Sequence, residues 1–229
     1  MTIRAIVTDI EGTTSAIAFV KDTLFPFALA ALDGFLDAHG AEPAVASIMA
    51  EVPGPDARAT LRGWMAEDVK ATPLKALQGL IWRAGFEDGR LRGHLWPDVA
   101  PCLRAWHTAG LRLAVYSSGS VDAQRLLFRH SLAGDLEPLF GGFFDTRMGH
   151  KREAASYTAI AAALGDAPGE VLFLSDVAEE LDAARAAGLQ TCQLVRAGDG
   201  TLAAGRHPEA PDFPAVARAF DLPHPAASG

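Results

Sequence analysis

A chain of 229 residues, 49% of them hydrophobic, has room for one large domain, or for one core carrying a smaller insertion. Its formal net charge of −8 argues against nucleic acid, which needs clustered Lys and Arg, yet permits a small phosphorylated ligand held by a few cations. No apolar stretch approaches the ~20 residues that span a bilayer, and the first strand begins almost at once without a basic-then-apolar leader, so no membrane is expected. The two cysteines, Cys102 and Cys192, lie in apolar settings. They read as buried free thiols and favour a reducing, cytoplasmic setting. The histidines are scattered without HxH or HExxH spacing, which argues against a histidine-based zinc site.

In chain order, residues 3–8 read as a buried strand. It ends on Asp9, and Glu11 follows two residues later, just before Gly12 and Thr13. The strand period of two would put both acids on one face, and Gly12 marks a turn. This gives an exposed acidic pair at the carboxyl edge of a sheet. Such a pair can bind a divalent cation and offer a nucleophilic carboxylate, or it can be two solvated acids at a strand end.

From about 22 to 92 the apolar spacing is helical, in Leu24, Phe25, Phe27, Ala28, Leu32, Phe35 and Leu36 and again in Leu74, Leu77, Leu80 and Ile81. The Pro/Gly patch 52–55 separates the two runs. From about 95 the pattern alternates. Helices are expected near 99–109, 121–130, 152–164 and 178–187. Strands are expected at 111–116, 142–145, 171–174 and 191–195, the last being the final strand. The stretch 197–213 is rich in Gly, Pro and Ala and reads as a loop, and 223–229 reads as a frayed tail. Strands alternating with helices imply parallel βαβ units with right-handed crossovers. The expected architecture is therefore α/β, with a core of residues 1–14 and 95–229 and a helical insert at 15–94.

Chemistry-bearing residues follow the other strands as well. Ser117, Ser118 and Ser120 follow the second, where free N–H groups and hydroxyls suit an anion, although Ser120 also suits a helix N-cap. Lys151 lies between the third strand and its helix. A lysine there opposes the helix dipole, which favours an anionic partner over simple solvation. Asp176 follows the fourth strand and either caps the next helix or joins Asp9 around a cation. Glu180 lies one helical turn on and can turn the same way. Glu179 and Asp182 read as a solvated helix face.

The joint order of acid pair, serine, lysine and acid, each just after an apolar strand, resembles the four motifs of the haloacid dehalogenase-like hydrolases. The first motif reads Asp9-Ile10-Glu11-Gly12-Thr13, with Glu11 where most phosphatases of that superfamily carry Asp. That departure, the runs 17–22, 74–82 and 116–121, and the segments 144–146, 149–151 and 173–177 resemble the acireductone synthases, the enolase-phosphatases of methionine salvage.

This resemblance implies a Rossmann-like parallel-sheet core with an inserted helical cap. It also implies one Mg2+ per chain and a small phosphorylated substrate, 2,3-diketo-5-methylthiopentyl-1-phosphate, that is enolised and dephosphorylated. Carried over, Asp9 is nucleophile and metal ligand. Glu11 contributes its backbone carbonyl to the metal and its side chain to proton transfer. Ser117 and Ser118 bind substrate phosphate, Lys151 neutralises phosphate and positions Asp9, and Asp176 completes the metal site. A monomer is expected. Lys75, Gln78 and Trp82 recur at helical spacing in the insert and stay outside the catalytic set, Trp82 reading as core of the insert. The alternative is a phosphomonoesterase of the same superfamily acting on another small phosphate ester. A dehalogenase would not need the metal-binding acids. A phospho-accepting receiver would carry its aspartate after the third strand, and a nucleotide-binding module would show a G-x-G-x-x-G or Walker loop, which this chain lacks.

Overall fold

The computed structural model describes residues 2–224. Strand β1 (Ala5–Thr8) opens the chain and leads through a tight turn to a short helix, α1 (Ile17–Phe19), and a π-helical turn at Val20–Leu24. Four helices follow: α2 (Phe25–His39), α3 (Pro43–Ala50), α4 (Ala57–Ala66) and α5 (Thr72–Glu87). The alternating part then runs α6 (Val99–Thr108), β2 (Arg112–Tyr116), α7 (Val121–Arg129), β3 (Phe140–Phe144), α8 (Ala154–Leu164), β4 (Val171–Ser175), α9 (Ala178–Ala186) and β5 (Gln190–Leu194). A two-residue strand β6 (Glu209–Ala210) and helix α10 (Phe213–Ala219) complete it.

The strands form one six-stranded sheet in the order β3-β2-β1-β4-β5-β6, and every neighbouring pair is parallel. β1 is central, pairing Thr8 with Val115 of β2 on one side and with Leu174 of β4 on the other. The chain builds outward from β1 through β2 to β3, then returns to β1's other flank at β4. The carboxyl end of β1 is thus the point where strand order reverses, the place where open α/β sheets hold ligands.

Strands β1 and β4 are buried throughout, and β2 and β5 along all but their first residue, as the inner strands of a parallel sheet require, whereas the edge strands β3 and β6 are partly exposed. Ala5, Val7, Ala114, Tyr116, Val171 and Phe173 pack with Tyr157 and Ile160 of α8 and Leu181 and Ala184 of α9. Their alternates Ile6, Leu113, Val115, Leu172 and Leu174 are equally buried. Cys102 and Cys192 are buried and free, and burial pushes both thiols up to about 12.

Two compact units divide the chain, one of residues 1–17 and 93–229, the other of 18–92. The second is all helical and has its own core. Ala28, Leu32 and Leu36 project from α2 at four-residue intervals against Leu61 of α4 and Leu74, Leu77 and Ile81 of α5. Trp82 belongs to this packing: its Nε1 donates to the Leu24 carbonyl at 2.8 Å, and its ring lies 6.2 Å from that of Phe25. Gln78 is buried, whereas Lys75 is exposed.

The reading of 197–213 as a plain loop is corrected. β6 lies within it and pairs Glu209 with Gln193 of β5, so β5 is not the final strand. The pairing of a two-residue strand is tertiary and leaves no hydrophobic period to read. Of the expected tail, residues 225–229 lie outside the described residues, and Pro223 is tied down, its carbonyl accepting from Trp106 Nε1 at 3.1 Å.

Leu32 is fully buried at the centre of the helical unit's core. Leu32→Ala should cost about 2–5 kcal/mol, as buried leucine truncations do, read from the urea midpoint at unchanged m-value. A change below about 0.5 kcal/mol would show that this core is not tightly packed.

Candidate active site

Asp9 directly follows β1, and its N–H still donates to the Leu174 carbonyl at 2.9 Å, so the ladder with β4 carries on through it. The chain then turns sharply. The N–H groups of Thr13, Thr14 and Ser15 all donate to the Ile10 carbonyl, and Gly12 adopts φ +73°. That backbone suits glycine, and a β-carbon at Gly12 would collide with the carboxylate of Asp176. The turn therefore brings the segment after β1 against the segment after β4. Thr13 fastens the two together, its Oγ1 accepting from the Asp176 N–H at 3.0 Å.

The acids are not an exposed pair. Asp9 is 5% exposed, while Glu11 points to the exposed side. The sequence gives no count of the neighbours that cover Asp9, and its main one, Lys151, lies far along the chain. Lys151 Nζ lies 2.8 Å from Asp9 Oδ1 and 2.7 Å from Glu180 Oε2, and all three groups are buried. Burial alone would push the Lys151 ammonium down, but the charges of Asp9 and Glu180 outweigh it and hold the group above the usual lysine value. Glu180 also accepts from Ser175 Oγ at 3.0 Å. Burial first, then the charge of Asp9, raises the Glu180 carboxyl.

Lys151 sits in the turn before α8 and not at the helix start itself, since α8 begins at Ala154. Two tyrosines hold that turn. Tyr157 donates its hydroxyl to the Lys151 carbonyl at 2.6 Å, and Tyr116 donates to the Gly149 carbonyl at 3.0 Å. The two rings meet edge to face at 5.5 Å, and the Lys151 ammonium stands 5.8 Å from the Tyr116 centroid. Gly149 has φ +128°, and a β-carbon there would strike the Ser156 hydroxyl.

Asp176 does not cap α9, whose N-cap is Val177 without a side-chain bond. Its carbonyl accepts from Gln193 Nε2 at 2.9 Å, and its Oδ1 is sealed from solvent with no hydrogen-bond partner among the described residues. Burial, and then the charge of Asp9, pushes its carboxyl up to about 7. An orphaned carboxylate oxygen beside a second carboxylate is what a hard cation with oxygen ligands would satisfy. Among the described residues no group of three or more His, Cys, Asp and Glu is arranged to hold a metal ion. The expected donor set does not require one, since it uses two carboxylates and the backbone carbonyl of Glu11.

Ser117 is buried at the end of β2, its N–H donating to the Phe144 carbonyl at 3.2 Å and its Oγ accepting from the Gly119 N–H at 3.3 Å. Ser118 is exposed beside it. Ser120 caps α7 through the Ala123 N–H. Glu179 is exposed and Asp182 half-buried. Asp182 is more than a solvated face, because it pairs with Arg185, Arg206 and the buried His207.

The structure thus brings Asp9, Lys151 and Asp176 to one sheet edge, with Ser117 at the end of the neighbouring strand. It leaves Glu11 and Ser118 on the exposed side. Tyr116, Tyr157 and Gln193 build this edge without a signal in the sequence, while Glu180 was marked only by its four-residue spacing from Asp176.

A protein-family model described as haloacid dehalogenase-like hydrolase matches residues 3–188. The Enolase-phosphatase E1 of Granulibacter bethesdensis is 63% identical over 227 residues, covering 97% of this chain and 98% of its own. That of Acidiphilium cryptum is 58% identical, covering 95% and 96%. The chain belongs to the enolase-phosphatase family of haloacid dehalogenase-like hydrolases. Among solved structures, the UTR4 protein (Unknown transcript 4 protein) of Saccharomyces cerevisiae superposes with a TM-score of 0.80 at 32% identity, covering 93% of this chain and 99% of that one. An L-2-haloacid dehalogenase at 22% identity and TM-score 0.61 shares the fold. The haloacid dehalogenase-like core is therefore the architecture of this family member, as the strand-end motifs implied.

The raised carboxyl of Asp176 has a consequence for stability in chelator-treated protein. Its folded value of about 7 exceeds the ordinary 3.8, so the folded chain holds a proton that the unfolded chain releases. The contribution is complete below about pH 4 and is lost as pH rises through 7. Wild type should therefore lose more stability than Asp176→Asn between pH 4 and 7, measured by urea denaturation of both. Parallel curves would contradict the raised carboxyl.

Proposed function

We propose that this protein is an acireductone synthase of L-methionine salvage. It converts 2,3-diketo-5-methylthiopentyl-1-phosphate to 1,2-dihydroxy-3-keto-5-methylthiopentene and phosphate. The observation that carries the reading is the 63% identity to an Enolase-phosphatase E1 across almost the full length of both chains. The geometry at the end of β1 supports the chemistry. We further propose that residues 1–14 and 95–229 form the catalytic core, that residues 15–94 act as its cap, and that the protein works as a cytoplasmic monomer with one Mg2+ per chain. Among the described residues no helix is long and apolar enough to cross a membrane.

Asp9 and Asp176, with the Glu11 carbonyl, would hold the Mg2+. When bound, the ion supplies positive charge to the phosphoryl oxygens. Asp9 Oδ1 is engaged by Lys151, which leaves Oδ2 to attack phosphorus. The attack forms an Oδ2–P bond and breaks the bond between phosphorus and the substrate's C1 oxygen, which leaves and takes a proton from solvent water. Water then cleaves the aspartyl-phosphate, releasing phosphate and restoring the carboxylate. Lys151 holds Asp9 in place and adds charge where phosphoryl oxygens gain it, while Ser117 and Ser118 contribute hydrogen bonds to the phosphate. Enolisation moves one proton off C1 and places one on the neighbouring carbonyl oxygen. Glu11, on the exposed side of the turn, is the side chain assigned to that transfer.

Incubation with the diketo phosphate and Mg2+, following phosphate release and acireductone absorbance together, tests the reading. Asp9→Asn should release no phosphate and accumulate the phosphorylated enol. Glu11→Gln should leave unreacted diketone. Lys151→Ala should lose on the order of a hundredfold in kcat/KM, as deleted electrostatic groups do. If Glu11→Gln forms the phosphorylated enol at the wild-type rate, Glu11 is not the base. Equal turnover of many unrelated phosphomonoesters would overturn the substrate assignment.

A further inference from the structure

Arg196 lies just beyond β5, is 4% exposed, and takes no part in the chemistry above. All five of its N–H donors are engaged. Nε donates to the Thr13 carbonyl at 3.1 Å, and Nη2 donates to the same carbonyl at 2.9 Å and to Asp98 Oδ2 at 3.0 Å. Nη1 donates to Asp98 Oδ1 at 2.9 Å and to the Pro211 carbonyl at 3.3 Å. The guanidinium stands 5.4 Å from the Trp96 ring and 5.6 Å from the Phe213 ring. Asp98 is itself held, its Oδ2 accepting from the Phe213 N–H at 2.9 Å.

Guanidinium has five donors and no acceptor, so a fully engaged Arg196 has nothing left for a substrate anion. Two of its bonds converge on one backbone carbonyl, that of Thr13. This residue sits in the turn after Asp9, and its hydroxyl accepts from the Asp176 N–H. A chain of direct contacts therefore runs from the Asp98–Arg196 pair, through the Thr13 peptide, to the backbone of Asp176. A buried Arg–carboxylate pair adds little net stability compared with apolar packing, whereas its planar, two-pronged geometry fixes orientation.

We propose that Arg196 is a positioning residue: by clamping the Thr13 carbonyl it sets Asp176 against Asp9 in the geometry that binds the cation. This rests on the proposed function for the cation, and on the hydrogen bonds alone for the clamp. Lysine keeps the charge but cannot reach one carbonyl with two donors while also forking onto Asp98.

Arg196→Lys tests it with three readouts: calorimetric titration with Mg2+ alone, amide hydrogen exchange, and steady-state kinetics. Val216→Ala serves as control, since Val216 is fully buried in α10 and takes no part in the clamp. Arg196→Lys should weaken Mg2+ binding on the order of 10- to 100-fold, as loss of partners behind metal ligands does. It should lower kcat more than it raises KM. Exchange of the Asp176 amide should accelerate, with α8 unchanged. Val216→Ala should lose stability yet keep its Mg2+ affinity. If Arg196→Lys does not fold, Asp98→Asn should show the same pattern at smaller size.

Wild-type Mg2+ affinity and wild-type exchange at Asp176 in Arg196→Lys would overturn the clamp. An equal loss of affinity in Val216→Ala would reduce Arg196 to general stability. If wild type itself takes up no Mg2+, the cation reading fails along with the role of Arg196 toward it. Unchanged Asp176 exchange in Arg196→Lys beside normal wild-type binding removes the clamp alone.

Discussion

One buried ammonium stands among three carboxylates at the centre of the sheet's carboxyl edge. Lys151 Nζ is 2.8 Å from Asp9 and 2.7 Å from Glu180, and Asp176 adds a third acid whose Oδ1 has no hydrogen-bond partner among the described residues. Charges withdrawn from water are costly unless paired, so an excess of acid here must be met by protons or by a cation. Protons meet part of it: Glu180 and Asp176 are both raised, Asp176 to about 7. The proposed cation would meet the rest at Asp176 Oδ1, which has no hydrogen-bond partner among the described residues. Asp9 keeps one oxygen tied to Lys151, and the other is the oxygen assigned to phosphoryl transfer.

The fold maintains this unfavourable concentration of charge by fixing backbone. The hydroxyls of Tyr116 and Tyr157 hold the turn that carries Lys151. Gly12 lets the segment after β1 approach Asp176, while Thr13 and Gln193 grip the Asp176 peptide. β1 supplies the anchor because it lies between β2 and β4, where the strand order reverses. The Lys151 turn is then held by one tyrosine from β2 and one from α8, and the Asp176 peptide by Thr13 and by Gln193 of β5; such support is what keeps a charged site in one geometry.

The sheet was readable in the sequence because its strands are short apolar runs, each followed by a polar residue of distinct chemistry. The insert's periodicity was clear at 24–36 and 74–81, where α2 and α5 show their buried stripe. It was not read over 40–70, where α3 and α4 are short. β6 and α10 escaped because a Gly- and Pro-rich stretch hides a two-residue strand whose identity lies in its partner β5. At the site, spacing located Asp9, Lys151 and Asp176, since each follows a strand. It did not reveal that Asp9 is buried, nor that Tyr157 and Arg196 hold the turns, because those facts depend on contacts between distant parts of the chain. Glu180 lies between the two cases: helical spacing aimed it toward Asp176, and the structure sends it to Lys151.

The proposed function stands on one step, the transfer of the phosphoryl group to Asp9 while Lys151 holds it. The most direct test is a single turnover of wild-type enzyme with the diketo phosphate and Mg2+, quenched in acid within the first turnover and analysed by peptide mass spectrometry. The peptide containing Asp9 should gain the mass of one phosphoryl group, the gain should map to Asp9, and it should rise and decay ahead of free phosphate. Phosphate released in the first turnover from an unmodified Asp9, or a phosphoryl group mapped to another residue, would contradict it.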